Sequence, residues 1–172
     1  MLIKELYQKL MQSPRFKATG FLSHIFVTAD PQGNDALVPE GLWEFGFYDA
    51  SRDIVHSYAL QLHTAILDEK ESQVFKKESD TVHQMNLDEL ELDFEGAASA
   101  ALAFQKKQYP GQSPGRAMFV LQDLGISLIW NITFITTAFN VLNMKFAAGT
   151  RAEKKSGEIV AHELSNLMQW KK

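Results

Sequence analysis

The chain has no cysteine, which removes disulfides, thiolate metal sites and a cysteine nucleophile from consideration. It has no surplus of basic charge: 17 Lys and Arg stand against 21 Asp and Glu, a formal net charge of −4. Nothing therefore draws it electrostatically to nucleic acid or to an anionic membrane. It has no apolar run near the ~20 residues of a membrane span. The longest, from Ile126 to Leu142, is broken by Asn131, Thr133, Thr136, Thr137 and Asn140. The N-terminal Met1 to Tyr7 lacks the uninterrupted apolar stretch and small-residue cleavage site of a signal peptide, so the expected location is the cytoplasm. P-loop, dinucleotide-binding glycine and basic-aromatic patterns are missing too. No cofactor, nucleic acid or membrane partner is expected.

What remains is an ordinary globular balance. Apolar residues make up 45% and charged residues 22%, with 12 Phe, 3 Trp and 4 Tyr in 172 residues. That is enough aromatic volume for a substantial core in one domain or two small ones. Leu2, Ile3, Leu6, Tyr7 and Leu10 follow helical spacing. Ser13-Pro14 reads as a cap starting one more helical turn. Strands are expected over 21–29, 41–48 and 54–65, with turn chemistry at 30–35 and a tight connection at 49–53. Residues 68–80 are charged and weakly patterned, with Gln73-Val74-Phe75 as a candidate edge strand. Asp93 is a plausible N-cap for an alanine-rich helix over 94–108, stopped by Tyr109-Pro110-Gly111. Further strands are expected at 116–123, 127–135, 139–148 and 159–162, then a helical turn at 164–170.

The order helix, three strands, charged loop, short strand occurs twice. Trp43, Phe45 and Phe47 align with Trp130, Ile132 and Phe134 at an offset of 87 (130 − 43), and the same offset places Ile54-Val55 on Val141-Leu142. The fold expected is α+β, built as two tandem helix-plus-antiparallel-sheet units, residues 1–85 and 86–172, or the two fused into one domain. Tyr109-Pro110-Gly111, Trp130-x-Ile132-x-Phe134 and Met144-Lys145-Phe146-Ala147 leading to Ser156-Gly157-Glu158-Ile159-Val160 resemble the PepSY module. The resemblance covers residues 93–164 and, more faintly, 16–76. It departs from the family where Ala147-Ala148 replaces Asp-Ala and where Ser72 replaces the turn glycine of the first copy. It implies cystatin-like packing of helix on sheet and a binding or inhibitory role, and carries over no catalytic residue.

Chemical motifs fare poorly. Gly111-Gln112-Ser113-Pro114-Gly115 matches G-x-S-x-G, but a nucleophile elbow needs a strand before it, a helix after it and an N–H after the serine. Here the order is reversed and Pro114 has no N–H. His162-Glu163-Leu164-Ser165-Asn166 lacks the second histidine of a zincin helix. Asn131-Ile132-Thr133 fits a glycosylation sequon, with Ile132 expected in the core. His24, His56, His63, His83 and His162 show no ligand spacing, so no metal is expected, although a cross-strand pair of His24 and His56 is conceivable.

One positive feature is left. The offset turns Val55, Ser57 and Ala59 inward and puts Ile54, His56, Tyr58, Leu60 and Leu62 on the opposite face beside Glu44 and Tyr48. This predicts an apolar open face with Glu44, Tyr48, His56 and Tyr58 as binding residues. The functional expectation is a non-enzymatic protein engaging a peptide, a protein or a second copy on a sheet face. The rival is a small-molecule binder or small enzyme with a cup-shaped pocket around Glu44, His56 and Tyr58.

Overall fold

A computed structural model describes residues 2–17, 19–33, 35–61, 68–73, 81–151 and 153–167. Among these residues two α-helices, α1 (Leu2–Gln12) and α2 (Phe94–Gln108), and a single 3-10 turn at Leu87–Glu89 accompany eight strands: β1 (Phe21–Gln32), β2 (Ala36–Asp49), β3 (Ile54–Leu60), β4 (Asp68–Gln73), β5 (Pro114–Asp123), β6 (Leu128–Thr136), β7 (Asn140–Ala147) and β8 (Ile159–Asn166). α1 buries Ile3, Leu6 and Leu10, the stripe its spacing predicts. α2 starts where the carboxylate of Asp93 accepts the Gly96 N–H at 3.1 Å, and its buried alanines, Ala97, Ala98 and Ala101, let it lie close to the sheet.

Three local expectations change. Ser13-Pro14 makes a turn closed by Phe16 N–H to Ser13 O, not a further helical turn. Leu164, Ser165 and Asn166 continue β8 instead of opening a helix, since each pairs with β7; positions 168–170 lie outside the described residues. The charged stretch after residue 67 forms β4, an edge strand whose exposed side needs no apolar pattern. Val74, Phe75, Leu62 and His63 lie outside the described residues.

All eight strands form one antiparallel sheet in the order β4-β3-β2-β1-β5-β6-β7-β8. The expected two tandem helix-plus-sheet units are therefore not what the chain builds. β1 pairs with β5 through six consecutive residues, His24↔Gln122 to Ala29↔Ala117, and joins both sets of four strands into a single sheet. The physical reason is that β1 and β5 would each be an unpaired apolar edge in a separate unit, and pairing them satisfies both rows of backbone groups. Both helices lie on one face. Tyr7 of α1 contacts Phe45 and Phe47, while Phe94 of α2 contacts Trp43 of β2 and Phe119 of β5. One hydrophobic cluster runs from Ile3 through Phe45, Ile25, Phe119 and Trp130 to Phe146.

The register of β3 also differs from expectation. Trp43 faces Leu60, Phe45 faces Tyr58 and Phe47 faces His56. In the other hairpin Trp130 faces Phe146, Ile132 faces Met144 and Phe134 faces Leu142. The offset is 87 for β2 and β6 but 86 (146 − 60) for β3 and β7. The loop between β2 and β3 spans 50–53, one residue more than the 137–139 loop between β6 and β7. A one-residue shift moves every side chain of a strand to the other face. His56, Tyr58 and Leu60 thus point toward the helices, and Val55, Ser57 and Ala59 point away, the reverse of the sequence expectation.

Candidate interaction face

The register separates the four residues expected to form a site. Glu44 and Tyr48 lie on the helix-free face, whereas His56 and Tyr58 lie on the helix side. The cup predicted around Glu44, His56 and Tyr58 does not form. Glu44 instead pairs with Lys70 of β4 at 3.2 Å. Tyr48 packs edge-on against Phe21, and its hydroxyl donates to Asp53 at 2.5 Å.

His56 and Tyr58 belong to a polar cluster at one end of the sheet. Arg52 reaches Asp49 through Nε (3.1 Å) and His56 Nε2 through Nη2 (2.5 Å), and His56 Nδ1 lies 3.3 Å from Glu71. A guanidinium only donates, so this geometry fits the tautomer with the proton on Nδ1, facing the carboxylate. Asp49 also accepts from Ser51 N, Ser51 Oγ and Thr19 Oγ1. The hydrogen bonds from Ser51, then those from Arg52 and Thr19, hold its carboxyl well below the ordinary carboxylate range. Tyr58 is wholly buried; it accepts from Lys17 N and donates to Glu69, and burial raises its phenol. Donors and acceptors are matched within this cluster, which braces the β2–β3 turn against β4, Lys17 and Thr19.

The other motifs take structural positions. The Ser113 carbonyl accepts Thr137 N–H, and Pro114 opens β5, as a turn reading requires. His162 accepts or donates at 2.7 Å with Tyr109 and lies in a strand, so no zincin helix exists there. His24 faces away from the helices and His56 toward them, so the two cannot share an ion. Among the described residues no cluster of ligand-type side chains could hold a metal. Ile132 of the sequon is fully buried.

The helix-free face carries half-buried residues that helix packing does not explain. Cross-strand pairing arranges it in rows: Thr28, Met118, Thr133, Asn143 and Glu163 in one, and Phe26, Val120, Asn131, Lys145 and Ala161 in the next. Phe26, Thr28, Met118, Val120, Asn131 and Thr133 are half-buried, and among the described residues neither helix covers them. This centre carries no formal charge. Charged groups surround it: the Glu44–Lys70 pair on one side, Arg116 with Glu40 (3.1 Å) and Asp30 at one end, and Lys145 and Glu163 on the other side. Asn143 Nδ2 donates to Asn131 Oδ1 (2.7 Å) and Thr133 Oγ1 (2.9 Å), which fixes the amides across β6 and β7. Beside them lies an open depression of about 500 Å³ lined by Thr133, Val141, Asn143, Glu163 and Ser165.

His24 marks the seam of this face. Its imidazole lies over Gly46, where any Cβ would come within 2.1 Å of the ring, and Nδ1 is 3.0 Å from Ser23 Oγ. Burial lowers its basicity below the ordinary value of 6.5, and Glu44 opposes that only in part. With the folded-state pKa depressed, the unfolded chain binds the extra proton first on acidification. Stability is therefore complete above pH 6.5 and falls as pH drops from there toward the folded value. Urea unfolding between about pH 7 and pH 5 should show that loss, and His24→Gln should flatten it; an unchanged slope in the variant would exclude His24 as its source.

The alternation Phe26-x-Thr28, Met118-x-Val120 and Asn131-x-Thr133 is visible in the sequence, but only the β1–β5 pairing brings the three together. Comparison with protein-family models, with curated proteins and with solved structures finds no match.

Proposed function

We propose that the protein is a non-catalytic interaction protein that engages a protein or extended peptide across the helix-free face of its sheet. One observation supports this reading: an uncharged, partly apolar centre, Phe26, Met118 and Val120, that neither helix covers and that has charged residues on both sides and at one end. Interface centres are depleted of charge while their rims are polar. A solvated sheet face would be expected to bear alternating charged residues instead of this make-up. Pinned amides at Asn131 and Asn143 supply directional hydrogen bonding without the entropy of long flexible side chains.

Peptides selected from a random display library against the whole chain test the reading. They should lose at least about tenfold in affinity, ~1.4 kcal/mol, on Met118→Asp with Val120→Asp, because a partner would then bury unpaired carboxylates. They should bind Lys107→Glu, on the outer side of α2, as they bind the parent. Peptides that ignore the first change and respond to the second would place recognition on the helices and sink the proposal.

A further inference from the structure

The two edges of the sheet have different chemistry. β4 reads Asp68-Glu69-Lys70-Glu71-Ser72-Gln73, a charged edge of the sort that blocks strand addition. β8 reads Ile159-Val160-Ala161-His162-Glu163-Leu164-Ser165-Asn166, and Glu163 is its only carboxylate. Exposed large apolar side chains gather there: Val160 (37%), Leu164 (39%) and the adjoining Leu167 (40%). Phe139, 72% exposed, is held beside them because its carbonyl accepts Leu167 N–H. Among the described residues nothing pairs with the outer side of β8.

An unpaired edge calls for an extended strand, and two-fold symmetry says which strand fits. Directly opposed residues in an antiparallel pair share a face, so a two-fold axis must pass beside a residue of β8. Set at Leu164, it places Leu164 against its own copy, Glu163 against Ser165, and His162 against Asn166, with no like charges opposed and the apolar residue at the centre. Set at Glu163, it opposes two carboxylates. For β4, an axis at Glu69 or Glu71 opposes carboxylates, one at Lys70 opposes two ammonium groups as well as Glu69 to Glu71, and one at Ser72 opposes no like charges but pairs only Glu71, Ser72 and Gln73 among the described residues. We propose that β8 is a homodimerisation edge, joining two copies antiparallel about Leu164 into one continuous sheet. The pairing is isologous and consumes the edge in both copies, while β4 stops further growth, so assembly ends at two. The two-fold runs perpendicular to the sheet and sets both helix-free faces side by side.

Sedimentation or light scattering of the whole chain at high micromolar concentration should give twice the mass of the 172-residue chain. Leu164→Lys, which opposes two ammonium groups at the axis, should halve that mass with an unchanged far-ultraviolet circular dichroism spectrum. Hydrogen exchange on the parent protein needs no variant: β8 amides should gain protection as concentration rises and β4 amides should not. A single-chain mass for the parent, a double mass that survives Leu164→Lys, or protection that rises on β4 and not on β8 would each overturn the proposal.

Discussion

Trp130→Ala is expected to lower the unfolding free energy by about 3–5 kcal/mol, the range for removing a fully buried large aromatic side chain. Trp130 is wholly inaccessible, its ring meets Phe119 edge-on with centroids 6.0 Å apart, and its Nε1 donates to Leu92 O at 2.8 Å. That last bond reaches the segment leading into α2, which is also tied to the sheet by Glu91 N–H and Leu92 N–H to Ala148 O. The substitution thus empties a core site and loosens the approach of a helix. Trp130→Phe separates the two effects. It keeps most of the apolar fill but strips the Leu92 carbonyl of its indole donor, a loss of about 1–3 kcal/mol. Urea denaturation of the three proteins decides the matter, and a cost under about 1 kcal/mol for Trp130→Ala would mean that the indole is not part of the core.

Gly20→Ala should cost about 2–4 kcal/mol, because it combines backbone strain with a clash that side-chain movement cannot relieve. Gly20 has φ +96°, and an added Cβ would sit 2.1 Å from Tyr48 O and 2.6 Å from Tyr48 C, both backbone atoms of the neighbouring strand. Gly33 supplies the control. It also has positive φ, +63°, but nothing lies within 4 Å of its added Cβ. Gly33→Ala should therefore cost only the left-handed penalty, about 1 kcal/mol. Equal thermal shifts for the two variants would contradict the close approach of Gly20 to β2.

Local signals read well from the sequence because they are decided locally. Asp93 caps α2, and the helix ends at Gln108 before Tyr109-Pro110. The Leu and Ile stripe of α1 is the buried one, and Trp43, Phe45 and Phe47 share the core face. Local readings failed at Ser13-Pro14 and at Leu164–Asn166, but the failures that changed the fold and the site are non-local. The repeated order of elements suggested two modules, and nothing in residues 24–29 or 117–122 announces that those strands pair with each other. The site was lost to one loop residue. The β2–β3 connection is a residue longer than its counterpart, and that parity sent His56 and Tyr58 to the helix side while Glu44 and Tyr48 stayed on the other. Hydrophobicity could not have flagged the error, because both faces of β3 are mostly buried: Val55 and Ser57 are as enclosed as His56 and Tyr58. The PepSY resemblance rests on the quoted residues alone.

The pairing of Val27 with Phe119 spans 92 positions (119 − 27). During synthesis on the ribosome, β1 must wait for the far half of the chain before its second neighbour exists, and Ile25, Val27 and Ala29 wait with it. The nascent chain spends that interval with an apolar central strand lacking its second neighbour, so slow translation through α2 is expected to prolong its exposure to aggregation. A ribosome stalled before Phe119 would hold a chain that is prone to aggregate, and one stalled well beyond Asp123 would release the strand into place.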